Sequence, residues 1–138
     1  MKTDELMTGD VVKLRGRYAE VLAIDSLDES VRVMMTDDGT VEDAVVWDIE
    51  PIPITSEMAE RNGFRQVADD AAGIWYNEYE TDDRRMRLLD ISPTHGEGVW
   101  YLHVDDSDMD TVGRLTVRFF HELQHAYRIC SVKRGLVL

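Results

Sequence analysis

The sequence predicts an α+β protein in which a small SH3-like antiparallel β-barrel is followed by an antiparallel meander packed by a C-terminal helix. Three observations predict it. Through residue 47, apolar and polar positions alternate in short Val- and Ile-rich segments broken by turn residues. Pro51 and Pro53 then interrupt the pattern. The stretch TVRFFHELQHAYRIC, from Thr116 to Cys130, finally brings apolar residues back at helical spacing.

Taken in order, Val11 to Arg15, Tyr18 to Ile24, Val31 to Thr36 and Val41 to Trp47 read as strands. Gly16-Arg17, Ser26 to Ser30 and the Asp37-Asp38-Gly39-Thr40 turn separate them. Four or five short strands within residues 1–50 suit a compact barrel. Its aromatics, Tyr18 and Trp47, read as core or rim packing rather than a peptide groove. Residues 51–55 read as a proline linker, because neither proline can donate to a ladder. Thr55 is placed to N-cap a helix running to Arg61, with Glu57 and Glu60 near its positive end and Gly63 in the terminating position. Met58 and Ala59 face inward in that helix. Residues 56–138 form the second α+β unit, with strands at Ile74 to Tyr79, Met86 to Ile91, Val99 to Val104 and Val112 to Val117. Turns are expected at Thr81 to Arg84 and at Ser92 to Gly98.

Charge narrows the function classes. The chain has 138 residues and a formal net charge of −13, which opposes binding to phosphate backbones and anionic lipid. No direct nucleic-acid partner is expected. Residues 1–55 carry 5 basic and 13 acidic groups, residues 56–113 carry 5 and 14, and residues 114–138 carry 5 and 1, leaving −8, −9 and +4. The terminal helix is thus a basic element in an acidic protein. No apolar run approaches the roughly 18 residues of a membrane span, and MKTDELMTGD lacks the apolar core of a signal peptide. These features, with Cys130 as the single cysteine, predict a cytoplasmic protein without a membrane partner.

Two stretches raise metal chemistry. Asp106-Ser107-Asp108-Met109-Asp110 opens like a calcium loop, but the sixth position is Thr111 where the turn wants Gly, and the twelfth is Val117 where a bidentate Glu is needed. It reads as a solvated hairpin loop. In the terminal helix, His121, Glu122 and His125 spell H-E-x-x-H. At about 100° per residue, Phe119, Phe120, Leu123, Ala126, Tyr127 and Cys130 form one buried stripe, while His121 and His125 point away from it. A zinc hydrolase would bind the metal through His121 and His125 and use Glu122 as general base. A third ligand is the difficulty, since AYRICSVKRGLVL, which follows His125, contains no His, Asp or Glu. It would have to come from His95, His103 or the loop from Asp105 to Asp110, and Arg118 and Arg128 on the same face would oppose a dication. The competing reading has no catalytic residue and no cofactor. There the outer side is an interaction face of Arg118, His121, Gln124, His125 and Arg128, with Arg118 and Glu122 as an i, i+4 ion pair. Cys130 lies on the inner stripe and reads as an inert buried thiol.

Gly9-Asp10-Val11-Val12, the run Pro51-Ile52-Pro53-Ile54-Thr55-x-Glu57 to Asn62-Gly63-Phe64, and Phe120-His121-Glu122-Leu123-Gln124-His125-x-Tyr127-Arg128 together resemble a family. It is one of small uncharacterised proteins of gut Bacteroidetes and of their phages and mobile elements. The resemblance spans nearly the whole chain. It implies no established activity, cofactor or catalytic residue. The family's terminal pattern, V-H-x-L-Q-x-x-Y, accepts Gln where Glu122 stands and Asn where His125 stands, and Phe120 replaces its Val here. The resemblance therefore implies that the zinc constellation is incidental to this member, and that His121, Leu123 and Gln124 share a structural or binding role. The expected function is a non-enzymatic acidic interaction module, phage or mobile-element encoded, acting on a host protein. The zinc-dependent hydrolase is the alternative.

Overall fold

The computed structural model describes residues 1–67 and 76–138. Two compact units result, one of Met1–Ile52 with Phe119–His121, the other of Pro53–Arg118 with Glu122–Leu138. Packing thus assigns the first residues of the terminal helix to the first unit, where a cut by sequence places all of 56–138 in the second.

The first unit is the small SH3-like barrel. Its strands are β1 (Val11–Leu14), β2 (Arg17–Asp25), β3 (Ser30–Met35), β4 (Val41–Val45) and β5 (Ile49–Glu50). They form one antiparallel sheet in the order β4-β3-β2-β1-β5. Alternation explains the core, because Val12, Leu14, Ala19, Val21, Val31, Val33 and Met35 all fall on the inner phase and are buried. The register slips between Val21 and Ala23, a bulge that strengthens the curl of the long β2 strand. At the β3–β4 turn Gly39 takes φ 72°, a conformation that L residues avoid, and Asp38 Oδ1 accepts from the Thr40 N–H at 2.9 Å. The predicted fourth strand stops at Val45, and Val46–Asp48 forms a 3₁₀ turn that brings Ile49 back to Leu14 of β1. That two-residue return strand is too short to carry a period.

The second unit begins at α1 (Ser56–Arg61). Thr55 Oγ1 accepts from the Met58 N–H at 3.2 Å, and Met58 and Ala59 are buried. Gly63 ends the helix at φ 86°, with Gly63 N–H donating to Glu60 O and Phe64 N–H to Ala59 O. That paired closure is the Schellman arrangement, and it carries Phe64 into the core. Asn62 donates to Met58 O and Val137 O and accepts from the Val137 N–H, so one buried amide ties the tail to α1.

Strands β6 (Arg65–Gln66), β7 (Asn77–Glu80), β8 (Met86–Asp90), β9 (Trp100–Asp105) and β10 (Thr111–Val117) form the antiparallel meander, in the order β10-β9-β8-β7-β6. Ile74 and Trp75 of the predicted first strand lie outside the described residues. Inside the expected turn from Ser92 to Gly98, Ser92–His95 closes one helical turn, α2, with Pro93 near its start. Met86, Leu88, Trp100, Leu102, Val104 and Val117 share one buried face by register. Gly113 lies on that face too, and its backbone approaches Cys130, the residue after α3 (Phe120–Ile129), so closely that a Cβ there would stand 2.6 Å from Sγ. Among the described residues no helix is long and apolar enough to cross a membrane.

The proline stretch is held at both ends. Ile52 O accepts from the Phe120 N–H at 2.8 Å, Ile54 N–H donates to Arg118 O at 3.2 Å, and Ile52 and Ile54 are both buried. The Trp100 indole N–H donates to Ile54 O at 3.2 Å as well.

Candidate functional site

Phe120, Leu123, Ala126 and Tyr127 are buried on α3, and Cys130 just beyond its end, as the helical wheel requires. Its first turn departs from the wheel. Phe119, expected in the stripe, is only half-buried, whereas His121, expected on the outer face, is 4% exposed. The Phe119 and His121 rings stack nearly parallel, 7° apart with centroids at 6.0 Å. A wheel accounts for one packing side only, and His121, which groups with Met1–Ile52, is buried off that stripe.

Glu122 has a local task. Its Oε1 accepts from the Arg118 N–H at 3.0 Å, satisfying a backbone donor just ahead of the helix in the manner of a capping box. The expected contribution of Glu122 was a side-chain ion pair with Arg118; the interaction that the geometry defines is with the Arg118 main chain. Glu122→Ala should therefore lower stability by about 0.5–2 kcal/mol, while Glu122→Gln, which still accepts, should stay near wild type. Urea denaturation of both variants checks this.

Gln124 and His125 are half-buried, and Arg118 and Arg128 are exposed. Four of the five predicted interaction-face residues are thus at least partly accessible, and His121 is the exception. The candidate third ligands are engaged elsewhere. His103 Nε2 lies 2.7 Å from Asp105 Oδ1 in a buried pair on β9, and His95 Nδ1 lies 2.8 Å from Thr94 Oγ1. Asp106 accepts from the N–H groups of Asp108 and Asp110, closing its own loop. Among the described residues no three His, Cys, Asp or Glu side chains are grouped to hold a metal ion.

No family model, curated protein or solved structure matches the chain. The site is therefore read from its own chemistry. Beside the helix, a hollow of about 150 Å³ is lined by Gln124, Tyr127, Arg128 and Arg134. A larger groove of about 400 Å³ runs past Asp83, Arg85, Asp106, Cys130 and Lys133. Burial pushes the Cys130 thiol up, which keeps it protonated and a poor nucleophile. Burial likewise pushes up the Tyr127 phenol, whose hydroxyl finds no hydrogen-bond partner among the described residues.

Sequence reasoning passed over two features. His103 and Asp105 sit two apart on a strand, so the period of two already puts both side chains on one face. Trp47, expected to pack, is 61% exposed, and Tyr18 is exposed too, with Lys13 Nζ 5.4 Å from its ring centre. No local period signals the exposure of Trp47, because it lies in the 3₁₀ turn after β4.

Proposed function

We propose that this protein is a non-enzymatic, acidic interaction module, cytoplasmic and encoded by a phage or mobile element, that binds a host protein. The observation that carries this reading is what the H-E-x-x-H residues do. Glu122 caps the helix it stands on, and His121 is buried against Phe119, so two of the three signature residues have structural work. The remaining resource is surface charge. A net charge of −13 suits a basic target, such as a surface that otherwise meets nucleic acid, and electrostatic steering speeds that encounter. Direct nucleic-acid binding is opposed by the same charge. Affinity capture from a gut Bacteroidetes lysate should recover a stoichiometric partner whose binding weakens with salt. Repeated recovery of none would count against the module.

The zinc-dependent hydrolase stays as the second reading because His121 and His125 do stand four apart on one helix. Elemental analysis of untagged protein purified without chelator decides it. Zinc below about 0.2 per chain leaves a catalytic site of ordinary affinity without support. With zinc present, Glu122→Gln should abolish hydrolysis and leave the metal bound.

A further inference from the structure

Strand β4 is built against its own composition. Its inner phase is Glu42 and Ala44, opposite the buried Val33 and Val31, whereas Val41 and Val45 point outward at 55% and 45% exposure. Trp47, in the 3₁₀ turn that follows, is 61% exposed as well, so the more apolar side of this segment faces solvent. Breaches of the binary pattern concentrate where a surface has work to do. β4 is also an edge strand among the described residues. Met35 N–H donates to Thr40 O and Val46 N–H to Glu29 O, which sets the ladder so that Glu42 and Ala44 bond to β3. The N–H and C=O groups of Val41, Asp43 and Val45 then point to the open side.

We propose that this edge accepts an extended, basic segment of the partner as an added strand, with Trp47 beside the end of the new strand. The proposal rests on the interaction reading and names its contact surface. Main-chain bonds to Val41, Asp43 and Val45 give the affinity, and side chains beside those residues give the selectivity. Residues 25–50 carry nine carboxylates and one arginine, Arg32. Arg15 meets Glu42 and Arg17 meets Asp37 and Asp38, which still leaves a marked negative excess. The Arg32 guanidinium pairs with Asp43 at 2.9 Å and holds its carboxyl below its usual range, so Asp43 stays ionised but paired, and the negative excess comes from the other carboxylates of the segment. A second copy is the wrong occupant, because pairing two β4 edges sets the negative excess of residues 25–50 against itself. A segment with a basic residue opposite Asp43 and apolar residues two positions to either side avoids that repulsion and covers Val41 and Val45, which share the outer face with Asp43.

Val45 supplies a clean variant. Its φ of −74° already suits proline, and its N–H points outward, so Val45→Pro removes one docking donor without breaking the ladder to β3. The probe is an acetylated seven-residue peptide with lysine at its centre and valine two positions to either side, titrated into ¹⁵N-labelled protein. Shift changes and slowed amide exchange are expected at Val41, Asp43 and Val45, with a shift of the Trp47 indole. Val45→Pro should bind about tenfold or more weakly with an unchanged melting temperature. If that variant misfolds, Asp43→Lys serves instead, by transferring the preference to the same peptide with glutamate at its centre. Shifts centred elsewhere, equal binding by Val45→Pro, or no change of preference in Asp43→Lys would overturn the edge assignment. A host partner captured equally by wild type and Val45→Pro also overturns it but leaves the interaction reading standing. Failure to capture any partner strikes the interaction reading itself.

Discussion

Phe120→Ala should lower the free energy of unfolding by about 3–5 kcal/mol, the cost of removing a fully enclosed aromatic ring and leaving its cavity. Phe120 is completely buried at the start of α3, and its N–H is already committed to Ile52 O. The neighbouring Phe119→Ala should cost less than about 1.5 kcal/mol, since that ring is half-exposed and loses chiefly its stack on His121. Urea denaturation midpoints at constant slope separate the two. Equal losses would show that the first turn packs on the symmetric stripe drawn by the wheel.

The second large effect is at Gly113. A Cβ there meets Cys130 Sγ at 2.6 Å and Leu115 Cδ1 at 3.4 Å, and Cys130 is buried on a one-carbon stem that cannot swing aside cheaply. Gly113→Ala should therefore cost about 1–3 kcal/mol by overpacking. The double variant with Cys130→Ala should recover most of that loss, because the methyl replaces the space held by sulfur. A double-mutant cycle reading about 1 kcal/mol or more of favourable coupling confirms the contact. Additive losses would place the strain elsewhere. The same pair gives Cys130 a purpose as a packing group, in keeping with a thiol whose ionisation burial disfavours.

The proposed β4 edge is useful only if the curled sheet beneath it holds its register, and that register depends on a core of small branched residues with Val12, Leu14 and Val33 fully buried. The helix face has different prospects. Arg118 and Arg128 are exposed there, but Glu122 and His121 are committed to capping and stacking, so substitutions at those two would read out as stability before they read out as binding.

Much of the fold follows from local pattern alone. Alternating Val and Ile set four of the five barrel strands, Thr55 and Gly63 set both ends of α1, and the apolar spacing of Leu123, Ala126, Tyr127 and Cys130 set the inner side of α3. Each is a property of one segment's own period or caps, which sequence carries directly. Tertiary structure alone decided three other matters. It buried His121, because what encloses the first turn of a helix comes from distant chain. It assigned the Glu122 carboxylate to a backbone N–H, a choice between partners that spacing cannot make. It also turned Val41 and Val45 outward and Glu42 inward, because the pairing of β4 with β3 sets which phase faces the core, and a period of two is the same whichever side is buried.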